Sequence, residues 1–303
     1  MRITTRHIRV FLAVAESGST AAAARALNLS QPSVSVALKE LEQTLGQKLF
    51  QRLSAKGMAP TAFGLRKLGQ ARQIAARLAS FQQGDAMDED PSGSVAFGYF
   101  STLGPQYVPA VLRLMAKRHP HVEVTLQEAD LAELNKLTES GRIELALSYA
   151  VEAPPRAAIE VIGELTPYAL LPADHPLARE EAVSIAALAQ QKLILIDLPL
   201  SRDFLLSVFR AEGVEPQVAY RTTSLDMAFG MVANGLGVSV LVTRQAGGLA
   251  YDGRSVVRRR LQDSRIRQKL IIQRPDWAVP TTPLLALSRC IREIAQSDGG
   301  HPL

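Results

Sequence analysis

Thiols are almost absent from this chain: its 303 residues contain one cysteine, Cys290. One thiol excludes an internal disulfide and any thiol-pair redox switch. Its plainest reading is a small apolar residue on the last helix. No apolar run reaches the ~18 residues that a membrane-spanning helix needs. The opening, Met1-Arg2-Ile3-Thr4-Thr5-Arg6-His7, leads into an amphipathic helix and not into the apolar core of a signal peptide. The expectation is a cytoplasmic chain with no membrane partner. Catalytic signatures are missing too: there is no H-E-x-x-H, no Walker-type Gly-Lys-Ser/Thr, no G-x-G-x-x-G and no G-x-S-x-G. His119, His121 and His175 have no metal-ligand spacing, and His175 before Pro176 reads as a turn residue. No catalytic residue, metal or cofactor is expected, and an enzyme has almost no support.

Size and balance are ordinary for a globular protein. Hydrophobic residues make up 47% and charged residues 21%, and the length suits two or three domains. The placement of charge says more. Residues 1–80 hold 12 Lys and Arg against 3 Asp and Glu, whereas residues 81–303 hold 22 against 26. A basic head on a mildly acidic body points to a polyanionic partner for the head alone. A solvated basic surface would look the same on charge alone.

Ile8, Phe11, Leu12 and Ala15 recur at helical spacing and give a first amphipathic helix. Gly18 can close it, and Ser19 or Thr20 can cap the helix after it. That second helix, 20–27, is mostly alanine and can pack closely. Ser30 then caps a third helix, 31–45, with Pro32 in its first turn and Gly46 at its end. Val34, Leu38, Leu41 and Leu45 form its buried stripe. Its other face begins with Gln31, Ser33, Ser35, Val36 and Lys39, short polar or methyl-bearing groups of the kind a recognition helix offers to base edges. A plain helical hairpin would share the two helices but not the segment after them. Residues 49–52 read as a strand, 55–58 as a turn, and 59–64 lead into another helix. That is a wing carrying Arg52 and Lys56, both suited to phosphate contact.

Together these segments resemble the LysR-type transcriptional regulators. The resemblance rests on Phe11-Leu12-Ala13-Val14-Ala15-Glu16-Ser17-Gly18-Ser19 and on Ala23-Ala24-Arg25-Ala26-Leu27-Asn28-Leu29-Ser30-Gln31-Pro32-Ser33-Val34-Ser35. It continues through Leu41-Glu42, Leu45-Gly46, Leu49-Phe50-Gln51-Arg52 and Pro60-Thr61-Ala62-Phe63-Gly64. Thr20-Ala21 replaces an aromatic residue usual after the Gly-Ser, and Ala37 stands where a longer polar residue is common. The resemblance implies that the third helix lies in the major groove. Gln31, Ser33 and Ser35 then inherit base or phosphate contact, Arg52 and Thr61 inherit backbone contact, and Pro32 is expected on the same DNA-binding face.

From Gly64 to Gln83 there is no proline, and Leu68, Ala71, Ala75 and Leu78 form a heptad-like seam. Leu65, Ile74 and Phe81 add a second apolar strip, which favours pairing with a second chain. The family uses this linker for dimers, and a homodimer or homotetramer is what the resemblance implies. Residues 84–93 are acidic and rich in Gly and Pro, and read as an exposed boundary.

Beyond it the pattern alternates. Strands at 94–100, 122–127 and 145–149 enclose helices at 105–118 and 131–140. Strands at 194–196, 218–220 and 238–242 alternate with helices at 202–211 and 224–234. A strand at 269–273 and a helix at 284–295 close the chain. Such alternation predicts parallel sheets covered on both faces. Ala173-Asp174-His175-Pro176-Leu177-Ala178 and Gly235-Leu236-Gly237-Val238-Ser239-Val240-Leu241 extend the resemblance to the family's effector domain. The expected fold is α+β: a winged helix-turn-helix (1–63), a long linker helix and hinge (64–93), and a two-subdomain α/β effector domain resembling a periplasmic binding protein (94–303). Its first subdomain takes 94–163 and 267–303, and its second 168–266.

In open α/β sheets a ligand sits beyond the carboxyl ends of strands, at helix N-termini. Ser101, Thr102 and Leu103 follow the first strand, Ser201 and Arg202 open a helix, and Thr222 and Thr223 precede another. Hydroxyls and amides at such ends favour an anion, and Arg202 suits a carboxylate. Ser101, Ser201 and Ser224 also read as ordinary helix caps. The expected function is a DNA-binding transcriptional regulator controlled by a small organic anion. The expected partners are double-stranded promoter DNA, a carboxylate effector, further copies of the chain and RNA polymerase. The rival is a transport-type solute-binding protein whose head only mediates association; the missing signal peptide and the recognition-helix pattern count against it.

Overall fold

Three helices open the chain, and local capping chemistry sets where each begins. The computed structural model describes residues 2–53, 57–83, 91–152, 154, 156–245, 247–262 and 264–298. Helix α1 (Thr5–Ser17) is closed by Gly18 in the left-handed region at φ 64°. Ser19 caps α2 (Thr20–Ala26) by accepting from the amides of Ala21 and Ala22. Ser30 caps α3 (Gln31–Leu45), with Pro32 in its first turn and Gly46 at φ 73° after its end. Val10, Phe11, Val14, Ala23, Ala24, Val34, Leu38 and Leu41 form the core between them. Strands β1 (Phe50–Leu53) and β2 (Gly57–Pro60) then pair antiparallel as the wing, with Phe50 opposite Pro60.

Helix α4 (Ala62–Gln83) comes next, capped by Thr61, whose Oγ1 accepts the Gly64 amide at 2.9 Å. Its two predicted apolar strips part company. Leu68 and Ala71 are buried in the core of the chain's own head, and Ala75 packs against it. Leu65 and Ile74 stay exposed. The seam drawn through Leu68 is therefore used within the chain, because α4 lies against α1. Residues 84–90, most of the expected acidic boundary, lie outside the described residues.

Two mixed sheets make up the rest. The first has order β4-β3-β5-β13-β6. It comprises β3 (Gly93–Phe100), β4 (Val122–Ala129), β5 (Leu145–Tyr149), β6 (Ala157–Leu165) and, from far along the chain, β13 (Gln268–Pro275). Helices α5 (Gly104–Arg118), α6 (Leu131–Glu139) and α10 (Thr282–Asp298) pack on it. The second has order β11-β7-β12-β8, from β7 (Tyr168–Pro172), β8 (Ala182–Val183), β11 (Ser239–Leu241) and β12 (Val256–Leu261). Strands β9 (Lys192–Ile196) and β10 (Gln217–Thr222) extend it through a parallel bridge from Leu193 to Val238. Helices α7 (Ile185–Ala189), α8 (Ser201–Arg210) and α9 (Leu225–Ala233) belong to this half.

The expectation of parallel sheets holds only for β3 with β4 and β5, for β9 with β10, and for the short pairing of β12 with β8. Strand β13 runs antiparallel to β5 and β6, and β7 runs antiparallel to β11 and β12. The reason is the crossing chain: β13 enters between strands laid down more than a hundred residues earlier. Among the described residues no helix is long and apolar enough to cross a membrane.

Candidate DNA interface and effector site

The start of α3 presents the face that its sequence suggests. Gln31, Pro32, Ser35, Val36 and Lys39 are exposed, and Val36 keeps 55% of its surface open. Ser33 is half-buried and its hydroxyl lies 2.8 Å from that of Ser30. The Gln31 amide donates to Thr20 Oγ1 at 3.4 Å, so α2 steadies this end of α3. Ala37 is buried against the core, so the side chain at that position faces inward. Arg52 is exposed on the wing, and Lys56 lies outside the described residues. Thr61 serves as a cap and also donates to the Lys48 carbonyl at 2.7 Å.

Two side chains not singled out for the site hold this face in place. Glu42 is buried and accepts from the amides of Leu49 and Phe50 at 2.9 and 3.4 Å, with Lys48 Nζ at 2.6 Å. It ties the wing to α3. His7 Nδ1 accepts the Thr4 amide at 3.1 Å, so its Nε2 carries the proton and donates to Glu40 at 3.1 Å, which ties α1 to α3. Both links join residues too far apart in sequence for periodicity to signal them.

The residues expected to hold an effector fall into two groups. Thr102 is buried, and its Oγ1 accepts from Thr243 Oγ1 at 3.4 Å. Thr243 Oγ1 lies 2.6 Å from Tyr149 Oη, and the Thr243 carbonyl accepts from Tyr168 Oη at 2.8 Å. The Gln106 side-chain carbonyl oxygen accepts the Arg244 amide at 3.0 Å. The end of β3, the end of β5, the start of β7 and the segment after β11 thus meet in one hydroxyl cluster. Burial pushes the Tyr149 phenol up to about 12, against the hydrogen bonds with Thr243 and Thr102. Burial pushes Tyr168 up as well, with Arg258 and Arg244 pulling the other way. Both phenols stay protonated and can donate. Leu103 is wholly buried, so the core claims its side chain. Tyr149 ends a strand that the sequence reveals, so the same strand-end rule would have found it.

The second group surrounds Asp197. Arg202 Nη1 and Arg221 Nη1 each lie 3.1 Å from one of its carboxylate oxygens, so the Arg202 guanidinium is already paired. Thr222 Oγ1 accepts the Ser224 amide, Ser201 is buried, and Thr223 is exposed. Ser224 is a true cap for α9, accepting from Met227, whereas Ser101 and Ser201 cap no helix. Among the described residues no hydrogen bond joins the two groups. Leu200, which precedes α8, is a non-glycine residue at φ 65°, a strained position of the kind that clusters at functional sites.

Comparison with known proteins gives two matching families. The one described as "Bacterial regulatory helix-turn-helix protein, lysR family" covers residues 5–65, and "LysR substrate binding domain" covers residues 88–296. A hydrogen peroxide-inducible genes activator of Dickeya chrysanthemi is 32% identical over 244 residues, 78% of each chain. The DNA-binding transcriptional dual regulator OxyR of Escherichia coli is 31% identical over the same share. Among solved structures, HinK of Pseudomonas aeruginosa, a LysR family transcriptional regulator, has a TM-score of 0.66 at 30% identity, covering 97% of this chain and 100% of that one. A full-length OxyR of the same species, carrying a cysteine-to-aspartate substitution, aligns at a TM-score of 0.77 with 20% identity over 97% and 98%, a likeness of fold.

Proposed function

This chain belongs to the LysR family of transcriptional regulators, binding DNA through its helix-turn-helix and carrying an effector-binding domain, and from that premise we propose that its effector is a small organic anion, of carboxylate type, held at the N-termini of α5 and α8. One observation carries this reading. Among the described residues, α1, α2, α3, α4, α6, α7, α9 and α10 all receive a side-chain oxygen at their first turn. Only α5 and α8 have none, although at α8 the Ser201 and Arg202 amides already donate to the Pro199 and Leu198 carbonyls, which leaves the later first-turn amides for a ligand. A helix start has unpaired amides and a partial positive charge, and an anion satisfies both. These two helices begin beside Leu103 and Ser201, where the strand-end rule places a ligand.

The hydroxyls of Thr102, Tyr149, Tyr168 and Thr243 are bonded to one another and to the Thr243 carbonyl, and an anion beside α5 would draw Thr102, the member next to that helix, out of this exchange. Arg202 enters through Asp197: its guanidinium shapes the loop before α8, and a carboxylate there competes with that pair. A thiol-based peroxide response, suggested by the names of some relatives, has little to work with here. Cys290 is the chain's single cysteine, it is buried, and burial pushes its thiol up, away from the reactive thiolate.

The domain division that fits this role is 1–63 for DNA, 64–93 as linker, and 94–303 as sensor, its two lobes built on the two sheets. Assembly as a homotetramer through α4, recruitment of RNA polymerase at the promoter, and a cytoplasmic setting complete the proposal. A thermal-shift screen of carboxylates and aromatic acids tests it first, since a ligand that prefers the folded form raises its melting temperature. Calorimetric titration of the best carboxylate into Thr102→Val should then show affinity falling by roughly tenfold, the loss of one hydrogen bond to a charged group. Undiminished affinity, or stabilisation by neutral compounds alone, would refute the anion site.

A further inference from the structure

Where α4 meets the first sheet's lobe, two glycines bring backbone against backbone, although Gly141 lies at φ 66°, a left-handed turn that favours glycine by itself. Gly69 and Gly141 are both buried. A Cβ on Gly69 would run into the Trp277 ring and stand 2.9 Å from the Ser140 carbonyl oxygen. A Cβ on Gly141 would stand 2.8 Å from Gly69 Cα and equally close to the same ring. Two backbones thus touch directly, with one indole packed across both. Gly69 lies within α4, in a helical conformation that any residue adopts, so the helix itself has no need of glycine there. Glycine in a helix interior is unfavourable against alanine. Its presence is explained by the contact.

One turn further along α4, Arg72 approaches the same lobe. Burial lowers its pKa, and the charges of Glu16 on α1 and Glu144 before β5 oppose that shift while Arg142 adds to it. Glu144 is itself anchored by accepting the Ala96 amide of β3 at 3.0 Å. The contact therefore has an apolar centre without side chains on the backbone side, and charged groups at its flank.

We propose that Gly69, Gly141 and Trp277 form an intramolecular latch that fixes the DNA-binding head on its own regulatory lobe, and that opening this latch is what reorients the head. The latch stands apart from the effector's identity; only its consequence for DNA rests on the reading of the head as the DNA-binding unit. Because α4 carries both the head's core contacts at Leu68 and Ala71 and the latch at Gly69, a shift of the lobe at Gly141 is passed to the head without an intervening joint.

Trp277 is the chain's one tryptophan, so its fluorescence reports the latch in the full-length protein. In Gly69→Ala the added methyl group should pry the contact open. Trp277 emission should shift to the red and become more easily quenched by acrylamide, with helical content unchanged. The protected length on operator DNA should change at the same time. If Gly69 is only a helix residue, alanine will instead raise the melting temperature and leave emission and quenching as in the wild type, which overturns the latch. Trp277→Ala opens the contact from the other side and leaves α4 untouched. It should reproduce the altered footprint, and a wild-type footprint in both variants would overturn the proposed reorientation. A wild-type protein that protects no DNA at all would refute the reading of the head, whereas the fluorescence arm would still decide the latch.

Discussion

Glu42 has 8% of its surface exposed, yet it carries a carboxylate. Burying such a group is costly unless its oxygens are satisfied. Here one oxygen takes the Leu49 and Phe50 amides and the other takes Lys48 Nζ. The exchange works in both directions, because those two amides start the wing and would otherwise be buried without partners. Glu42→Ala should therefore destabilise the head by about 1–3 kcal/mol, the range for leaving a buried donor unpaired. Glu42→Gln keeps an amide oxygen as acceptor and should cost less. Urea unfolding followed by circular dichroism checks both. Equal stability of Glu42→Ala and wild type would mean that water replaces the carboxylate, and that the wing does not depend on it.

At the level of elements, helices are more legible in the sequence than sheets. The capping residues Ser19, Ser30 and Gly18 announce the first three helices because a cap is local chemistry between residues a few positions apart. Strands β6, β7 and β12 have no such local mark. Strand β12, Val256–Leu261, has three successive arginines, and Arg259 reaches the Ala178 carbonyl at the sheet's rim instead of solvent. Its partner β7, Tyr168–Pro172, lies too far back for any local window to join the two. The proposed effector site is half-legible for the same reason: Thr102 and Tyr149 stand at strand ends, but the hydroxyl that joins them belongs to Thr243. Helix α4 makes the point in a testable form. A heptad count assigns Leu68 to the partner chain, whereas Leu68 is buried under the chain's own α1 and Ile74 keeps 48% of its surface open. Leu68→Ala should cost the head about 2–5 kcal/mol, as core truncations do. Ile74→Asp should leave the fold intact and weaken association. Sedimentation of the full chain alongside its circular dichroism separates the two, and an Ile74→Asp protein that assembles like wild type would place the interface elsewhere.

Across the whole molecule the charge is polarised: residues 1–80 hold nine more basic than acidic side chains, and the remainder holds four more acidic ones. A head of this sign should bind any duplex, and the α3 face should then choose among sequences. The two contributions have different dependences on salt and on base identity. Phosphate contacts release counterions, so removing one flattens the plot of log affinity against log salt by about 0.9. Base-edge contacts leave that slope alone and cost roughly 1–3 kcal/mol at the cognate site only. Arg52 projects from the wing and Gln31 and Ser35 from the start of α3, all exposed. Arg52→Ala should therefore weaken specific and non-specific binding alike and flatten the salt dependence. Gln31→Ala and Ser35→Ala should lower affinity for the operator, keep the wild-type slope and leave non-specific binding unchanged. Retardation assays on the gene's own upstream DNA and on an unrelated duplex, at several salt concentrations, measure all of these. An Arg52→Ala protein with altered base preference and unaltered non-specific affinity would reverse the roles of wing and helix.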